Sequence, residues 1–250
     1  MLDNRPCILI AVLNQGEVRV ELAEYLFRVV TSAQIPIEIL YANLKPISYN
    51  RNQIVKKFLA AEQFDYLVMI DNDIVPDKNI LDWIVCDKDI IGGLCYGFSV
   101  KNSISGIVPF ILKRNKKKAE GQKFLTYSVI RKDKWDGLTE CDAVGTGLIM
   151  ISRKVLEHPF WKTHGGWFPN IYDKEGEKKL GLDINFCYRA KKLGFKVFSD
   201  TNCSCQHWTP MDLKFLFECF QKDADEITKL IDELNKYKKK CENKQYSESN

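Results

Sequence analysis

The fold class that the sequence predicts is α/β with a parallel core sheet, and three observations predict it. Apolar runs of five or six residues alternate with segments whose apolar residues recur at helical spacing. Those runs are unbroken by polar residues, as in strands covered on both faces. Strand–helix–strand repeats of this length imply right-handed crossovers and hence parallel pairing. The composition agrees with a globular chain: 250 residues, 45% hydrophobic and 28% charged, which excludes disordered, collagen-like and mucin-like classes.

In chain order, Cys7–Val12 (CILIAV) is a first buried strand, and Glu17–Thr31 is a helix with Val20, Ala23, Leu26, Phe27 and Val30 largely at helical spacing. Ile35–Tyr41 reads as a second strand. Asn50–Glu62 carries Ile54, Val55, Phe58 and Ala61 on one helical stripe, and Tyr66–Ile70 (YLVMI) is a third strand. From Asp89 onward the pattern loosens. Ile90–Gly97 reads as a strand, then Ile104–Leu112 and Phe124–Ile130 as two β-rich stretches around a charged turn. Thr139–Ile151 enters a buried strand through two glycines, Leu182–Leu193 is a short helix ended by Gly194, and Lys196–Ser199 starts a final strand. Residues 211–241 form the longest helical pattern, with an apolar stripe from Leu213 to Leu234. That stripe is expected to dock on the domain, a homodimer through the helix being the alternative. With no internal repeat and no linker, residues 1–241 read as a single domain and 242–250 as a frayed polar tail.

Lys+Arg 37 against Asp+Glu 33 leaves +4, too mild to imply nucleic-acid binding. Residues 113–134 hold nine Lys/Arg against Glu120 and Asp133, a local 9 − 2 = +7. They read either as a solvated hairpin or as a basic edge facing an anionic acceptor or a membrane surface. No run approaches the ~20 apolar residues that span a bilayer. The start reads as a first strand rather than a signal peptide, and nine cysteines without a repeated CxxC pattern point to reduced thiols in the cytoplasm.

The most informative segment is FDYLVMIDNDIVP, where an apolar strand runs straight into Asp71-Asn72-Asp73. Carboxylates at i and i+2 on extended backbone project to one side, and the C-terminal ends of strands are where open α/β sheets bind ligands. Two hard oxygen donors suit Mg²⁺ or Mn²⁺; a polar turn ending a strand is the plainer reading. Asp183 opens the helix LDINFCYRAKKLG, where an N-cap is the plainer role.

From Cys7 to Trp208 the chain resembles a small GT-A-fold glycosyltransferase, similar to family 2 enzymes and their compact viral and bacterial relatives. The resemblance rests on ILIAVLNQGEV, the Arg51-Asn52 pair in YNRNQIVKKFL, MIDND, IIGGLCY, AVGTGLIMISRKVLE and GLDINFCYRAKKLGFKVFSDTNCSCQHW, in that order. It implies a Rossmann-like mixed sheet flanked by helices, and a UDP- or GDP-sugar donor bound with Mn²⁺ (or Mg²⁺) across the carboxyl edge of the sheet. Asp73 then resembles the main metal ligand and His207 the late histidine that completes the site, with Asp71 facing the ribose or binding the metal through water. Asp183 resembles the base of inverting members, although Leu182 stands where a second acid usually lies. Asn14 and Glu17 fall in the nucleobase loop, and Arg51 and Asn52 near the nucleotide beside Asn72, with a surface salt bridge as the alternative for Arg51. Gly93 and Gly147 either let backbone approach the donor sugar or serve packing within strands.

The implied function is metal-dependent transfer of a sugar from a nucleoside-diphosphate donor to an acceptor hydroxyl, with inversion and Asp183 as base. The acceptor class stays open among glycan, lipid-linked sugar, protein and modified nucleobase, and the resemblance to viral enzymes extends the location to a host cytoplasm. A catalytically silent nucleotide- or glycan-binding protein and a retaining transferase are the alternatives. A two-metal hydrolase is disfavoured, since three histidines without His-Asp or His-x-His pairs build no such site.

Overall fold

A computed structural model describes residues 5–101, 104–115, 126–172 and 178–209, with isolated positions 221, 225, 228, 229 and 232. The chain divides into two compact units, residues 1–97 with 109–208, and residues 98–108 with 209–250.

In chain order the elements are β1 (Ile8–Leu13), α1 (Val20–Ser32), β2 (Ile37–Ala42), α2 (Ile47–Ala60), β3 (Tyr66–Asp71) and β4 (Ile74–Pro76). After a 3₁₀ turn over Ile80–Cys86 come β5 (Ile90–Leu94), β6 (Tyr96–Lys101), β7 (Ile104–Pro109), β8 (Ile111–Arg114) and β9 (Tyr127–Val129). Then follow β10 (Leu138–Cys141), β11 (Ala143–Val144), β12 (Leu148–Ser152), the single turns α3 (Arg153–Leu156) and α4 (Phe160–Thr163), and β13 (Ile171–Tyr172). Finally come β14 (Lys178–Leu180), α5 (Leu182–Lys192) and β15 (Val197–His207). The main sheet has the order β10-β15-β5-β12-β3-β1-β2, with β4 paired to β15 off that path. A three-stranded sheet, β11-β8-β9, and the ribbon β13-β14 also belong to the first unit, and the ribbon β6-β7 lies mostly in the second.

The sheet is mixed. β1 pairs in parallel with β2 and β3, and β5 with β15, as crossover connections require. β12 runs antiparallel between β3 and β5, and β10 antiparallel on β15. The mixed sheet that the resemblance implies is thus found, with β1, β2 and β3 as its parallel part, and the return strand carrying LIMIS enters from the opposite edge after the Gly145-Thr146-Gly147 turn.

Side-chain alternation sends one set of strand residues to each face. Leu9, Ala11, Leu67, Met69, Ile149 and Ile151 pack with α2, α5 and the two short turns, while Ile8, Ile10, Val68, Ile70, Leu148 and Met150 pack with α1 and Trp83. Burial on both faces explains why these strands read as continuous apolar runs.

Several boundaries differ from the sequence pattern, each for a physical reason. α1 starts at Val20 rather than Glu17, because the Asn14 side chain accepts from Gly16 N at 2.9 Å and closes a local turn. α2 starts at Ile47, directly after Pro46, which cannot donate and so ends any earlier turn. The stretch Ile90–Gly97 breaks into β5 and β6, and Ile104–Leu112 into β7 and β8. The final strand, β15, runs eleven residues on from the start expected at Lys196–Ser199, since buried Cys203 and Cys205 alternate with Asn202, Ser204 and Gln206 in a strand-like period that polar counting hides. The helix at 211–241 and the homodimer through it, the tail, and the tip of the basic hairpin lie outside the described residues, apart from the helical positions 221, 225, 228, 229 and 232. The cysteines described, from Cys7 to Cys205, are free thiols. Among the described residues no helix is long and apolar enough to cross a membrane.

Packing sets a demand on β5. A methyl group at Gly92 would meet Val144 Cγ2 at 2.7 Å, and one at Gly93 would meet Leu148 Cδ2 at 2.6 Å and Cys205 Sγ at 2.8 Å. Gly92→Ala and Gly93→Ala are each expected to destabilise the fold by about 1–3 kcal/mol through overpacking, measured by chemical denaturation.

Candidate functional site

β3 lies between β1 and β12, and its last residue, Asp71, reaches the carboxyl edge of the sheet. Its N–H donates to Gly147 O at 2.8 Å, and the next amide, Asn72 N, to Leu13 O at 2.9 Å, so the strand end is held from both sides. Arg51 projects from α2 and sets Nη2 2.8 Å from Asp71 Oδ1 and 3.0 Å from Oδ2. The Arg51 side chain is only 3% exposed, whereas Asp71 keeps 30% of its surface. Desolvation by the surrounding protein pushes the Asp71 carboxyl above the usual carboxylate range; Arg51 opposes this, and the charges of Asp73 and Asp183 add to it. The Arg51 salt bridge is therefore a buried one rather than the surface pair offered as the alternative.

Asp71 and Asp73 do not share one extended segment. A turn at Asn72-Asp73 separates β3 from β4 and sends the two carboxylates to different partners. The second partnership follows from register: β4 pairs antiparallel with the end of β15, matching His207 with Ile74, and Trp208 N donates to Asp73 O at 2.9 Å. His207 Nε2 thereby comes 3.6 Å from Asp73 Oδ2, and Nδ1 donates to the Tyr96 carbonyl. The Asp73 carboxylate, with help from the Tyr96 carbonyl and against the cost of burial, raises the imidazole to about 9. Among the described residues no group of three or more His, Cys, Asp or Glu side chains is arranged to hold a metal ion. Of the expected trio of Asp71, Asp73 and His207, Asp73 and His207 stand side by side, while Asp71 is paired with Arg51.

Asp183 sits in the first turn of α5, but Gly181 is the residue at the N-cap, so the capping role expected for Asp183 is not the one found. Its Oδ1 instead accepts from Thr146 Oγ1 at 2.6 Å. Phe186, one turn on, is fully buried and stacks on Phe168 at 4.6 Å and Trp161 at 5.6 Å, which fixes the start of the helix. Arg51, Asp71, Thr146, Gly147, Leu182 and Asp183 line one open cavity of about 250 Å³. Leu182 gives it an apolar wall where an acid was expected.

The other candidates separate clearly. Asn14 lines a neighbouring cavity of about 550 Å³ with Gln15, Leu44, Lys45, Pro46, Ile47 and Asn50. Glu17 is exposed, and its carbonyl accepts from Asn72 Nδ2 at 3.2 Å, tying the loop after β1 to the turn after β3. Asn52 faces away: its Oδ1 accepts from Trp167 N at 2.8 Å and Phe168 N at 3.3 Å, making it a brace for the 166–168 loop. Gly93 is buried and serves packing, whereas Gly147 lines the cavity. Thr146 is the site residue that sequence reading missed; the signal lay inside Gly145-Thr146-Gly147, where the glycines drew the attention.

No family model matches the chain, and no curated protein matches it at a significant level. Among solved structures it is similar to A197 from STIV, at 18% identity and TM-score 0.52, covering 81% of this chain and 86% of that one. It also matches a glycosyltransferase involved in the glycosylation of the major capsid of PBCV-1, at 11% identity and TM-score 0.31 over 64% of this chain and 72% of that one. HddC from Yersinia pseudotuberculosis matches at 10% identity and TM-score 0.34 over 79% and 92%. The first likeness carries the fold: a mixed α/β chain with a central sheet flanked by helices.

Arg51→Gln is expected to cost about 2–3 kcal/mol at neutral pH, somewhat below a fully buried pair because Asp71 is partly exposed. The folded-state pKa of Asp71 is raised, so ionised Asp71 opposes folding above the usual carboxylate range, and Arg51 offsets that cost. The loss in the variant should therefore be full at pH 7 and shrink as pH falls through the raised pKa, read from urea midpoints across pH.

Proposed function

We propose that the chain is a glycosyltransferase that moves a sugar from a nucleoside-diphosphate donor to an acceptor hydroxyl, with inversion. The observation that carries this reading is the meeting of Asp71 and Asp183 on one cavity at the carboxyl edge of the sheet, with the Asp73–His207 pair two residues along the chain. A carboxylate and a deprotonated imidazole fit Mn²⁺ or Mg²⁺, and the carboxylates of Asp71, Asp73 and Asp183 outnumber Arg51 and His207, which leaves local negative charge for a cation to offset. Held by Asp73 and His207, such an ion would supply Lewis-acid neutralisation of the departing diphosphate.

The rest is done by the chain. Thr146 holds Asp183 Oδ1, which leaves Oδ2 to take the proton of the acceptor hydroxyl as that oxygen attacks the anomeric carbon. Leu182 and Ile47 give the cavity apolar walls against which the transferred sugar can pack as its bond to the diphosphate breaks. The adjoining cavity at Asn14 shares Ile47 with the first and offers the donor's nucleoside a place beyond the diphosphate. UDP- or GDP-sugars fit this reading, and the acceptor is a hydroxyl on a glycan, lipid-linked sugar, protein or modified nucleobase.

Two substitutions test the roles. Asp183→Asn keeps side-chain size and should lower turnover by ~10²–10⁴ with donor affinity little changed. Asp73→Ala should remove most Mn²⁺-dependent binding of UDP or GDP. Both are read by calorimetry and by diphosphate release from a panel of nucleotide sugars. Near-normal turnover in Asp183→Asn would point to a retaining mechanism, and absence of turnover with intact donor binding in the unaltered chain would favour the silent binding protein.

A further inference from the structure

A third cavity, of about 200 Å³, opens at the far end of α5 and is lined by Arg114, Tyr127, Asp142, Tyr188, Lys191 and Lys192. Two elements build it. Tyr188, Lys191 and Lys192 are spaced i, i+3 and i+4 and share one face of α5. Arg114 lies directly opposite Tyr127 in the β8–β9 ladder, which puts both on one face of that sheet. From Asp183 to Lys191 the helix rises about 12 Å, so this cavity is distinct from the one proposed for catalysis.

Its charges are unbalanced. The Asp142 carboxylate is already engaged by Lys191 Nζ at 2.6 Å, Arg114 N at 2.8 Å and, more loosely, Lys113 Nζ at 3.7 Å. Among the described residues the side chains of Arg114 and Lys192 have no carboxylate partner; they stand 5.5 and 5.8 Å from the Tyr188 ring centroid. A cation over an aromatic face is held more weakly than one hydrogen-bonded to a charged oxygen, so both can turn to an anion. The hydroxyls of Tyr127 and Tyr188 likewise make no hydrogen bond among the described residues, and burial raises Tyr127 to about 12, so it remains a neutral donor. The surplus charge extends into the sequence 113–134, with its local +7.

We infer that this cavity is a binding site for a phosphorylated saccharide. Arg114 and Lys192 take the phosphate, Arg114 by its planar fork. Tyr127 and Tyr188 present aromatic faces to the apolar face of a sugar ring and hydroxyls to its polar rim. At about 30 Å³ of liquid per water, the volume is worth six or seven waters, which suits one ring with its phosphate. The phosphate half of the assignment rests on the cavity alone; the saccharide half rests on the glycosyl-transfer reading.

The test is calorimetric titration of the full chain with glucose 6-phosphate, glucose and inorganic phosphate, with UDP present to occupy the catalytic cavity. Glucose 6-phosphate should bind more tightly than either fragment. Arg114→Gln/Lys192→Gln should weaken it at least about tenfold with UDP affinity unchanged, and Tyr188→Ala should weaken glucose 6-phosphate while sparing inorganic phosphate. Lys192→Gln alone, at an exposed position, gives the same direction should the double variant melt early. The proposal is overturned if glucose 6-phosphate binds no better than phosphate, if the charge variants leave its affinity unchanged, or if only vesicles carrying phosphoinositide bind. Loss of the catalytic reading would show elsewhere, as UDP binding indifferent to Asp73→Ala.

Discussion

A guanidinium that is 3% exposed needs a counter-charge, and among the described residues the end of β3 supplies it for Arg51. The fork from Arg51 to Asp71 ties α2 to the central strand, and Asp71 N to Gly147 O ties the same point to the turn before β12. From that junction the remaining site residues are placed by chain geometry. Asp73 follows after one turn, Thr146 precedes Gly147, and Thr146 in turn holds Asp183. A single ion pair thus sets the spacing of three carboxylates that would otherwise repel one another.

The loop that covers the start of α5 depends on the same side of the molecule. Asn52, next to Arg51, caps the amides of Trp167 and Phe168; Asn185 donates to Pro169 O at 2.7 Å, and Arg189 to Gly166 O at 2.8 Å. Polar side chains from α2 and α5 therefore meet around one loop, satisfying backbone groups that burial would leave unpaired. The aromatic stack of Trp161, Phe186 and Phe168 fills the space beneath. The consequence is that the start of α5, and with it Asp183, is held in place, as the base role proposed for Asp183 would require.

Much of this was legible in the sequence, and the rest was not for identifiable reasons. β1 and β3 were readable because both their faces are buried, which leaves unbroken apolar runs. Asp71, Asp73 and Asp183 stood out because they follow such runs or open a helix. The pairing of β15 with β4 was invisible, since it depends on a strand whose buried members are cysteines between polar residues, and it is this pairing that brings His207 to Asp73. The burial of Arg51 and the turning away of Asn52 are tertiary facts: neighbours in sequence on one helix, they point to different partners, and composition cannot say which meets the cavity. Thr146 carried no chemical signal until Asp183 was found beside it.

The central claim is that the end of β3 and the end of β15 together make a cation-dependent diphosphate site. The most direct measurement is anomalous diffraction from crystals of the full chain soaked with Mn²⁺ and UDP. The account predicts one strong manganese peak within bonding distance of Asp73 and His207, with the diphosphate between it and the cavity at Asp183, and with Arg51 still paired to Asp71. A diphosphate bound elsewhere, or bound at this edge with manganese absent from Asp73, would contradict it.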